Sequence, residues 1–153
     1  MSENITSADN QQERPLVNVR IPTQVAWYIS GFVDGEGSFN ISFRRKQDYK
    51  TKWQPVLSFN VSQRERLILD VIKNYFKCGI IKRRRDGLHS YDVTNPIDLK
   101  TTIVPFFIRY PFISKRRSKN FELFTSAVEI MFKKQHLSQT GLRNLVLMRE
   151  ELI

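Results

Sequence analysis

Two carboxylates lie among three glycines in the ten residues Ile29–Ser38, which read ISGFVDGEGS. Carboxylates that hold a divalent metal can hydrolyse phosphodiesters, because the metal lowers the pKa of a bound water and neutralises charge on the attacked phosphate. Asp34 and Glu36 are too close in sequence to be taken as equivalent ligands. We therefore expect one of them to face a cleft while the other serves local structure.

The glycines end an apolar pattern with helical spacing that begins at Thr23. Trp27, Gly31 and Gly35 fall at i, i+4 and i+8, on a helix face that tapers to bare backbone. Because the helix precedes the glycines, they do not fit a phosphate-binding loop, which follows a strand and opens a helix. Small residues at this spacing let a second helix approach closely. If that helix belongs to another copy of the chain, these three residues form a dimer interface and a two-fold axis brings two Glu36 carboxylates together.

The chain carries 25 Lys and Arg against 15 Asp and Glu, a net charge of +10, which favours a polyanionic partner and nucleic acid first. No apolar run approaches the ~20 residues of a membrane-spanning helix, so no membrane partner is expected. Residues 1–22 are polar and lack the character of a signal or transit peptide. We interpret them as a flexible arm before a single domain, residues 23–153, and expect an intracellular location: a prokaryotic cytoplasm or, for an organelle-encoded chain, an organelle matrix.

Apolar periodicity predicts the elements that must position these residues. The expected order is a helix, two strands, a helix, a hairpin with an Asp86-Gly87 turn, a helix from Asn95-Pro96 that is interrupted at Pro105, and two final helices. The expected bounds are Thr23 to about Asp34 for the first helix, Arg64–Phe76 for the second, Ile80–Arg85 and Leu88–Thr94 for the hairpin, and Ser114–Lys133 and Ser138 to the end for the last helices. The pattern predicts a mixed α/β (α+β) fold, with helices covering one face of a four-stranded antiparallel sheet.

The other face of this sheet is polar and basic. Its amides and cations are the groups that read base edges in a DNA major groove, although any half-exposed sheet is polar on its outer side. We predict that the strands and the loop between the first two of them bind DNA through Ser38, Asn40, Ser42, Arg44, Lys46, Tyr49, Lys50, Lys52, Gln54, Ser58, Asn60, Ser62, Ile80, Lys82, Arg84, Ser90 and Asp92.

The stretch ISGFVDGEG resembles the signature motif of the LAGLIDADG homing endonucleases. In that family the motif helices pack against each other, and the final acid binds catalytic magnesium beside the scissile phosphates. The resemblance implies that Glu36 is the catalytic and metal-binding acid and that Gly31 and Gly35 are the small packing residues. It further implies that Asp34 is structural and that the Gly35 carbonyl faces the metal.

Three further stretches extend the resemblance over most of the chain from Thr23. YKTKWQPVLSFNVSQRER resembles the family's second strand and turn, which implies that Gln63 helps to order water in the active site. The basic residue expected soon afterwards is Arg64 or Arg66. ISKRRSKNFELF resembles the start of a later helix and places Lys115 at the basic position near the scissile phosphate, and HLSQTGLRNLVLMREEL resembles a secondary C-terminal signature.

Further cations crowd the start of this later helix beside Lys115. The positive end of a helix dipole disfavours cations, and a nearby phosphate would offset that cost. A solvated charge run is the alternative. We treat Arg116, Arg117 and Lys119 as candidate DNA contacts.

The resemblance implies an intron-homing endonuclease that acts as a homodimer on a long, pseudo-palindromic DNA duplex. Hydrolysis with Mg²⁺, or another divalent cation such as Mn²⁺, would cut both strands across the minor groove and leave short 3′ overhangs; no small-molecule cofactor is expected. The alternative is a non-cleaving nucleic-acid-binding protein of the same fold, an RNA maturase or a regulator. A rival nuclease pattern, Asp92 followed by Asp98-Leu99-Lys100, is explained without catalysis by a capped helix start at Asn95-Pro96.

Overall fold

The computed structural model describes residues 20–153. Arg20, Ile21 and Pro22 lead directly into the first helix. The predicted arm over residues 1–22 otherwise lies outside the described residues. Among the described residues, no helix combines the length and the apolar character that a membrane span requires.

The helices and strands follow the predicted order. Their bounds are α1 (Thr23–Glu36), β1 (Gly37–Arg45), β2 (Trp53–Gln63), α2 (Leu67–Phe76), β3 (Ile80–Arg83), β4 (His89–Val93), α3 (Pro96–Asp98), a π-helical turn (Leu99–Ile103), α4 (Val104–Arg109), α5 (Lys115–Phe132), a 3-10 turn (Gln135–Leu137) and α6 (Gln139–Glu151). The mixed α/β fold with one four-stranded antiparallel sheet is confirmed.

The strands lie in the order β1-β2-β4-β3. Gly37 pairs with Val61 near the end of β2, and Gln63 pairs with His89 at the start of β4. The β3–β4 turn therefore lies at the end of the sheet where α1 runs into β1. The β1–β2 turn lies at the opposite end.

Period-two alternation buries one face of the sheet against the helices. Phe39, which is 3% exposed, contacts five aromatic rings, with centroid separations from 5.0 to 6.2 Å. These rings belong to Phe59, Phe107, Phe112, Phe121 and Phe124. The cluster joins the sheet to α4, α5 and the segment between them, so it fixes where α5 begins relative to β1.

The helix that starts after Asn95 is irregular at a different place from the one predicted. Asn95 caps it by accepting from the backbone N–H of Ile97 at 2.8 Å. A π-helical turn then covers Leu99–Ile103, and the Val104 N–H donates to the Leu99 carbonyl. Pro105 falls in the first turn of α4, where its missing N–H has little cost. The chain therefore stays helical through Pro105 instead of being interrupted there.

The β3–β4 turn is one residue longer than the expected two-residue Asp86-Gly87 turn. The Arg84 N–H donates to the Leu88 carbonyl at 2.7 Å, which leaves a three-residue loop. Asp86 Oδ1 accepts from the Leu88 N–H at 3.0 Å, and Gly87 has φ +89°. Three-residue hairpin loops commonly place a glycine in this left-handed conformation.

Candidate active site and nucleic-acid interface

The polar face of the sheet, opposite the aromatic core, carries hydrogen-bonded pairs across β1 and β2. Ser38 lies opposite Asn60, and its Oγ donates to Asn60 Oδ1. Arg44 Nε donates to Gln54 Oε1 at 2.8 Å. Such bonds orient amide and guanidinium groups that can each make two hydrogen bonds to a base edge. The same face carries Asn40, Ser42, Ser58 and Ser62 of these strands and Ile80, Lys82 and Arg84 of the β3 hairpin.

Ser90 and Asp92 lie on this face by register, but both are little exposed. Ser90 is only 5% exposed, and its Oγ donates to Asp92 Oδ1 at 2.9 Å. The Asp92 side chain is 11% exposed, and its other oxygen lies 3.5 Å from Lys82 Nζ. β4 is an inner strand, flanked by β2 and β3. Ser90 and Asp92 therefore present little accessible surface in this structure, and their contacts with DNA stay predictions.

The β1–β2 turn carries the other four predicted contacts. Lys46 Nζ lies 3.9 Å from Asp48 Oδ1, and Lys52 Nζ donates to the Gln47 carbonyl at 3.0 Å. The Tyr49 ring packs 6.4 Å from the His136 ring, whereas Lys50 is exposed. At this turn, Lys50 is therefore the cation most free to reach a partner.

Two cations of the β3 hairpin were not among the predicted contacts. Arg83 and Arg85 are exposed, and their side chains make no hydrogen bond or ion pair within residues 20–153. Period-two reasoning omitted them because it follows alternate residues only. The run Lys82-Arg83-Arg84-Arg85 was the available signal, because four successive cations concentrate charge at this turn whichever face each one joins.

At the end of α1, the helix continues two residues beyond the predicted bound. The Gly37 N–H donates to the Val33 carbonyl, so Gly35 and Glu36 remain helical. A Cβ at Gly37 would lie 2.6 Å from Val33 Cγ1, so the tight passage into β1 requires glycine. Glu36 is exposed and its carboxylate makes no hydrogen bond or ion pair within the described part of the chain.

Asp34 is fully engaged by the segment before α5. Its carboxylate accepts from the Ile113 N–H at 3.0 Å, the Ser114 N–H at 3.1 Å and the Ser114 hydroxyl at 2.6 Å. Burial raises the pKa of Asp34, but the bonds from Ser114 and Ile113 and the charge of Arg117 outweigh it and lower the pKa overall. Asp34 thus stays ionised and ties the end of α1 to the start of α5.

The four cations at the start of α5 divide into two groups. Arg116 Nε and Nη2 donate to the Ile153 carbonyl oxygen at 3.3 and 3.1 Å, and Arg117 Nε donates to the Asp34 carbonyl at 3.2 Å. Carbonyls of this chain therefore stabilise these two, without a phosphate. Lys115 and Lys119 are exposed and make no such bonds among the described residues.

Arg117 also lies within electrostatic reach of Glu36. Burial and neighbouring Arg116 lower the pKa of the Arg117 guanidinium, whereas the carboxylates of Asp34 and Glu36 raise it. Since Arg117 bonds the last turn of α1, the first turn of α5 lies beside Glu36. The structure thus brings the predicted acid and the segment that carries Lys115 to one place.

Gln63 ends β2, two residues beyond Val61, the partner of Gly37, or about 7 Å along the strand. Its Oε1 accepts from the Arg64 N–H at 3.0 Å. Of the two basic residues that follow, Arg66 pairs with Asp70 at 3.0 Å. The Arg64 guanidinium makes no hydrogen bond or ion pair within residues 20–153 and lies beside the β3–β4 turn. Arg64 is therefore the better candidate for a basic group near Gln63.

Gly31 and Gly35 form an open strip on α1, which we call the glycine face. Both are exposed, and an ideal Cβ at either position would have no atom of this chain within 4 Å. Trp27, on the same side of the helix, is 48% exposed and packs edge-on against Tyr110, with ring centroids 5.1 Å apart. Nothing within the described chain requires these two positions to lack a side chain.

Residues 29–128 match the LAGLIDADG endonuclease family. This chain belongs to that family. It is 33% identical over 117 residues to the uncharacterised 50.9 kDa protein in ND4 intron 1 of Podospora anserina. This match covers 74% of this chain but only 26% of that protein. The predicted LAGLIDADG resemblance is confirmed.

Solved LAGLIDADG structures share the fold over most of the described chain. I-SmaMI, bound to an uncleaved DNA target in the presence of calcium ions, matches with a TM-score of 0.80 and 31% identity, over 87% of this chain and 45% of that chain. The homing endonuclease I-TnaI matches with a TM-score of 0.78 and 27% identity, over 83% of this chain and 86% of that chain. This chain thus corresponds to less than half of the I-SmaMI chain and to most of the I-TnaI chain.

Glu36, at the end of α1, could supply one ligand to a divalent cation. Mg²⁺ is usually held by one or two carboxylates together with phosphate oxygens and water, and Glu36 offers one carboxylate with no partner among the described residues. Within residues 20–153, no three His, Cys, Asp or Glu side chains cluster as metal ligands. A LAGLIDADG metal site on this chain therefore needs oxygens from elsewhere, and the open glycine face next to Glu36 leaves room for them.

Proposed function

We propose that this chain is a site-specific homing endonuclease that cleaves both strands of a long, pseudo-palindromic DNA duplex as a homodimer. The observation that carries the proposal is the glycine face, which is open along its length and ends at an unpaired Glu36. Two such faces in contact would place two acids together at the centre of the assembly. The net charge of +10 and the polar face of the sheet favour DNA as the partner.

Glu36 from each copy would hold Mg²⁺ or Mn²⁺ together with oxygens of the DNA backbone, and the Gly35 carbonyl is a further candidate ligand. When bound, the cation would supply an activated water and neutralise charge on the attacked phosphate. Asp34 is not available for this role, because three hydrogen bonds from Ile113 and Ser114 occupy its carboxylate. The contacts of the two acids thus support a structural role for Asp34 and a metal-binding role for Glu36.

Lys115 and Gln63 would complete each half of the site. Lys115 is exposed at the first position of α5, where its ammonium can approach the scissile phosphate. Gln63 can order water through its amide once the Oε1 is released from the Arg64 N–H. The Arg64 guanidinium supplies a second unpaired cation on this side.

Each polar face would read one half-site in the major groove. Two-stranded β-ribbons fit that groove, and alternate side chains reach base edges. The β3–β4 turn lies at the sheet end that carries Glu36, so its cations would contact base pairs close to the centre of the target. Lys50, at the opposite end, would contact the outer part of the half-site.

A homodimer would supply the second glycine face, and one solved homing endonuclease chain, I-TnaI, is matched by this single unit over 86% of its length. A second LAGLIDADG unit on one longer chain would present the same surfaces. Sedimentation of the protein alone and with its target distinguishes these arrangements. A complex of one chain with one duplex that still cuts both strands would contradict the homodimer.

Selection of cleaved molecules from a randomised duplex library tests the activity. We expect cut products in Mg²⁺ and none in Ca²⁺, with a two-fold related sequence preference and short 3′ overhangs. An Asp98→Asn variant serves as a control and should cut normally, because the pattern around Asp98 belongs to a capped helix start. A protein that binds its preferred duplex tightly but never nicks it in Mg²⁺ or Mn²⁺ would overturn the endonuclease and support the non-cleaving alternative.

A further inference from the structure

The two sides of the glycine face differ in shape. At about 100° per residue along an α-helix, Trp27 lies about 40° to one side of Gly31 and Tyr28 about 60° to the other. On the Trp27 side a large side chain protrudes from the helix, because the indole is 48% exposed and packs edge-on against the Tyr110 ring. Ile113 projects on the same side, 93% exposed and bonded through its N–H to Asp34.

The Tyr28 side is concave. A groove of about 670 Å³ runs between α1 and α2. Its apolar lining consists of Val25, Tyr28, Phe32, Leu67, Ile68 and Val71. Tyr28 is 60% exposed and Leu67 70% exposed. An apolar groove with such side chains at its rim is typical of a protein-binding surface.

Symmetry decides which surfaces meet in the proposed dimer. If two glycine faces touch and both Glu36 side chains meet at one end, the two α1 helices run parallel and the two-fold axis follows them. Rotation by half a turn about that axis places the projecting side of one helix against the concave side of the other, and does so twice. Trp27 would then face the groove of the other copy, and Trp27 would not face Trp27.

We propose that Trp27 of each copy docks in the groove between α1 and α2 of the other copy. This inference rests on the proposed homodimer and adds the contacts that hold it. The glycine face is continuous with both sides, so one partner covers all three surfaces at once. Trp27 is a suitable anchor, because buried aromatic side chains dominate the binding energy of many interfaces and Tyr110 already holds its ring.

Two complementary variants test the arrangement. Trp27→Lys places a cation on the projecting side, and Leu67→Glu places an acid in the groove beside Glu65. Each variant alone should dimerise at least about tenfold more weakly, because both of the symmetry-related contacts between residue 27 of one copy and the groove of the other are altered. Mixing the two should restore dimers, because a mixed dimer contains one Lys-Glu contact and one unaltered contact of Trp27 with Leu67.

Native mass spectrometry of the mixture measures the fraction of mixed dimers. We expect well over half, the value for random association, and a matched exposed pair, Phe132→Lys with Ile97→Glu, should give random association. Trp27 is 48% exposed and Leu67 is 70% exposed, so we expect both variants to fold, and circular dichroism checks this. If the parent chain dimerises but the mixture of Trp27→Lys and Leu67→Glu contains only the random fraction of mixed dimers, this docking is overturned and the endonuclease proposal stands. A parent chain that stays monomeric with and without DNA would overturn both.

Discussion

Replacing Gly31 with alanine should change two measured quantities in opposite directions. Within one chain the added methyl meets nothing, because no atom lies within 4 Å of an ideal Cβ at this position. A glycine in a helix interior is less favourable than alanine by about 1 kcal/mol. The isolated chain should therefore become more stable by about that amount, which corresponds to a rise in melting temperature of about 2–4 °C for a domain of this size.

In the proposed dimer the same methyl lies between two helices in contact. Overpacking a close interface costs about 1–3 kcal/mol per site, and two-fold symmetry introduces two such methyls. We therefore expect the Gly31→Ala dimer to dissociate at least about tenfold more readily than the parent, since 1.4 kcal/mol corresponds to a tenfold change. Cleavage should fall with dimer occupancy and recover at high protein concentration.

The assay follows melting temperature and sedimentation over a hundredfold range of protein concentration. At the lowest concentration the variant should melt above the parent, and at the highest below it, because dimerisation stabilises only the associated state. Ser126→Ala on α5 is the control: Ser126 is exposed, and its replacement should raise helix stability at every concentration without altering dimerisation. A Gly31→Ala variant that melts higher and dimerises as tightly as the parent would refute the role of the glycine face.

Three other predictions test separate parts of the site. Asp34→Asn should lower the free energy of unfolding at pH 7 by about 1–2 kcal/mol after allowance for solvent screening. Because the folded-state pKa of Asp34 is lowered, the parent should lose this advantage as pH falls below about 3.8. An equal difference in urea unfolding between parent and variant at pH 7 and at pH 3 would contradict the role of the Asp34 charge. Lys115→Ala should slow single-turnover cleavage at least about tenfold while target affinity changes by less than about threefold; equal losses in both would make Lys115 a binding group. Lys82→Ala and Arg84→Ala should each cost about 1–3 kcal/mol of target affinity and relax sequence preference near the centre of the site; unchanged values in a binding titration would remove the β3 hairpin from the interface.

Local pattern was sufficient to predict the sheet and the end of α1 closely. The alternation of Phe39 and Ile41 with Asn40 and Ser42 has one physical reading, because a strand turns successive side chains to opposite faces. The end of α1 was placed two residues too early, since glycine has a low helix propensity and an acidic side chain such as Glu36 is unfavourable near the C-terminal end of a helix. The structure extends the helix because the Gly37 N–H still reaches the Val33 carbonyl.

Contacts between distant residues account for what the sequence could not predict. Ser90 has the type and position of an exposed residue, and only the pairing of β4 with both β2 and β3 buries it. Arg116 and Arg117 read as free cations, but they bond carbonyls of Ile153 and Asp34, which lie 37 and 83 residues away in sequence. No local signal marks such partners.

The most direct test of Glu36 as the metal-binding catalytic acid is a comparison of the parent chain with Glu36→Gln on the DNA target recovered by cleavage selection. Glutamine has nearly the same shape but removes the charge that would hold the metal. We predict target affinity within about threefold of the parent, unchanged dimerisation, and no detectable cleavage in Mg²⁺. Cleavage by Glu36→Gln at the parent rate would contradict this prediction, because the carboxylate at the end of α1 would then have no part in the reaction.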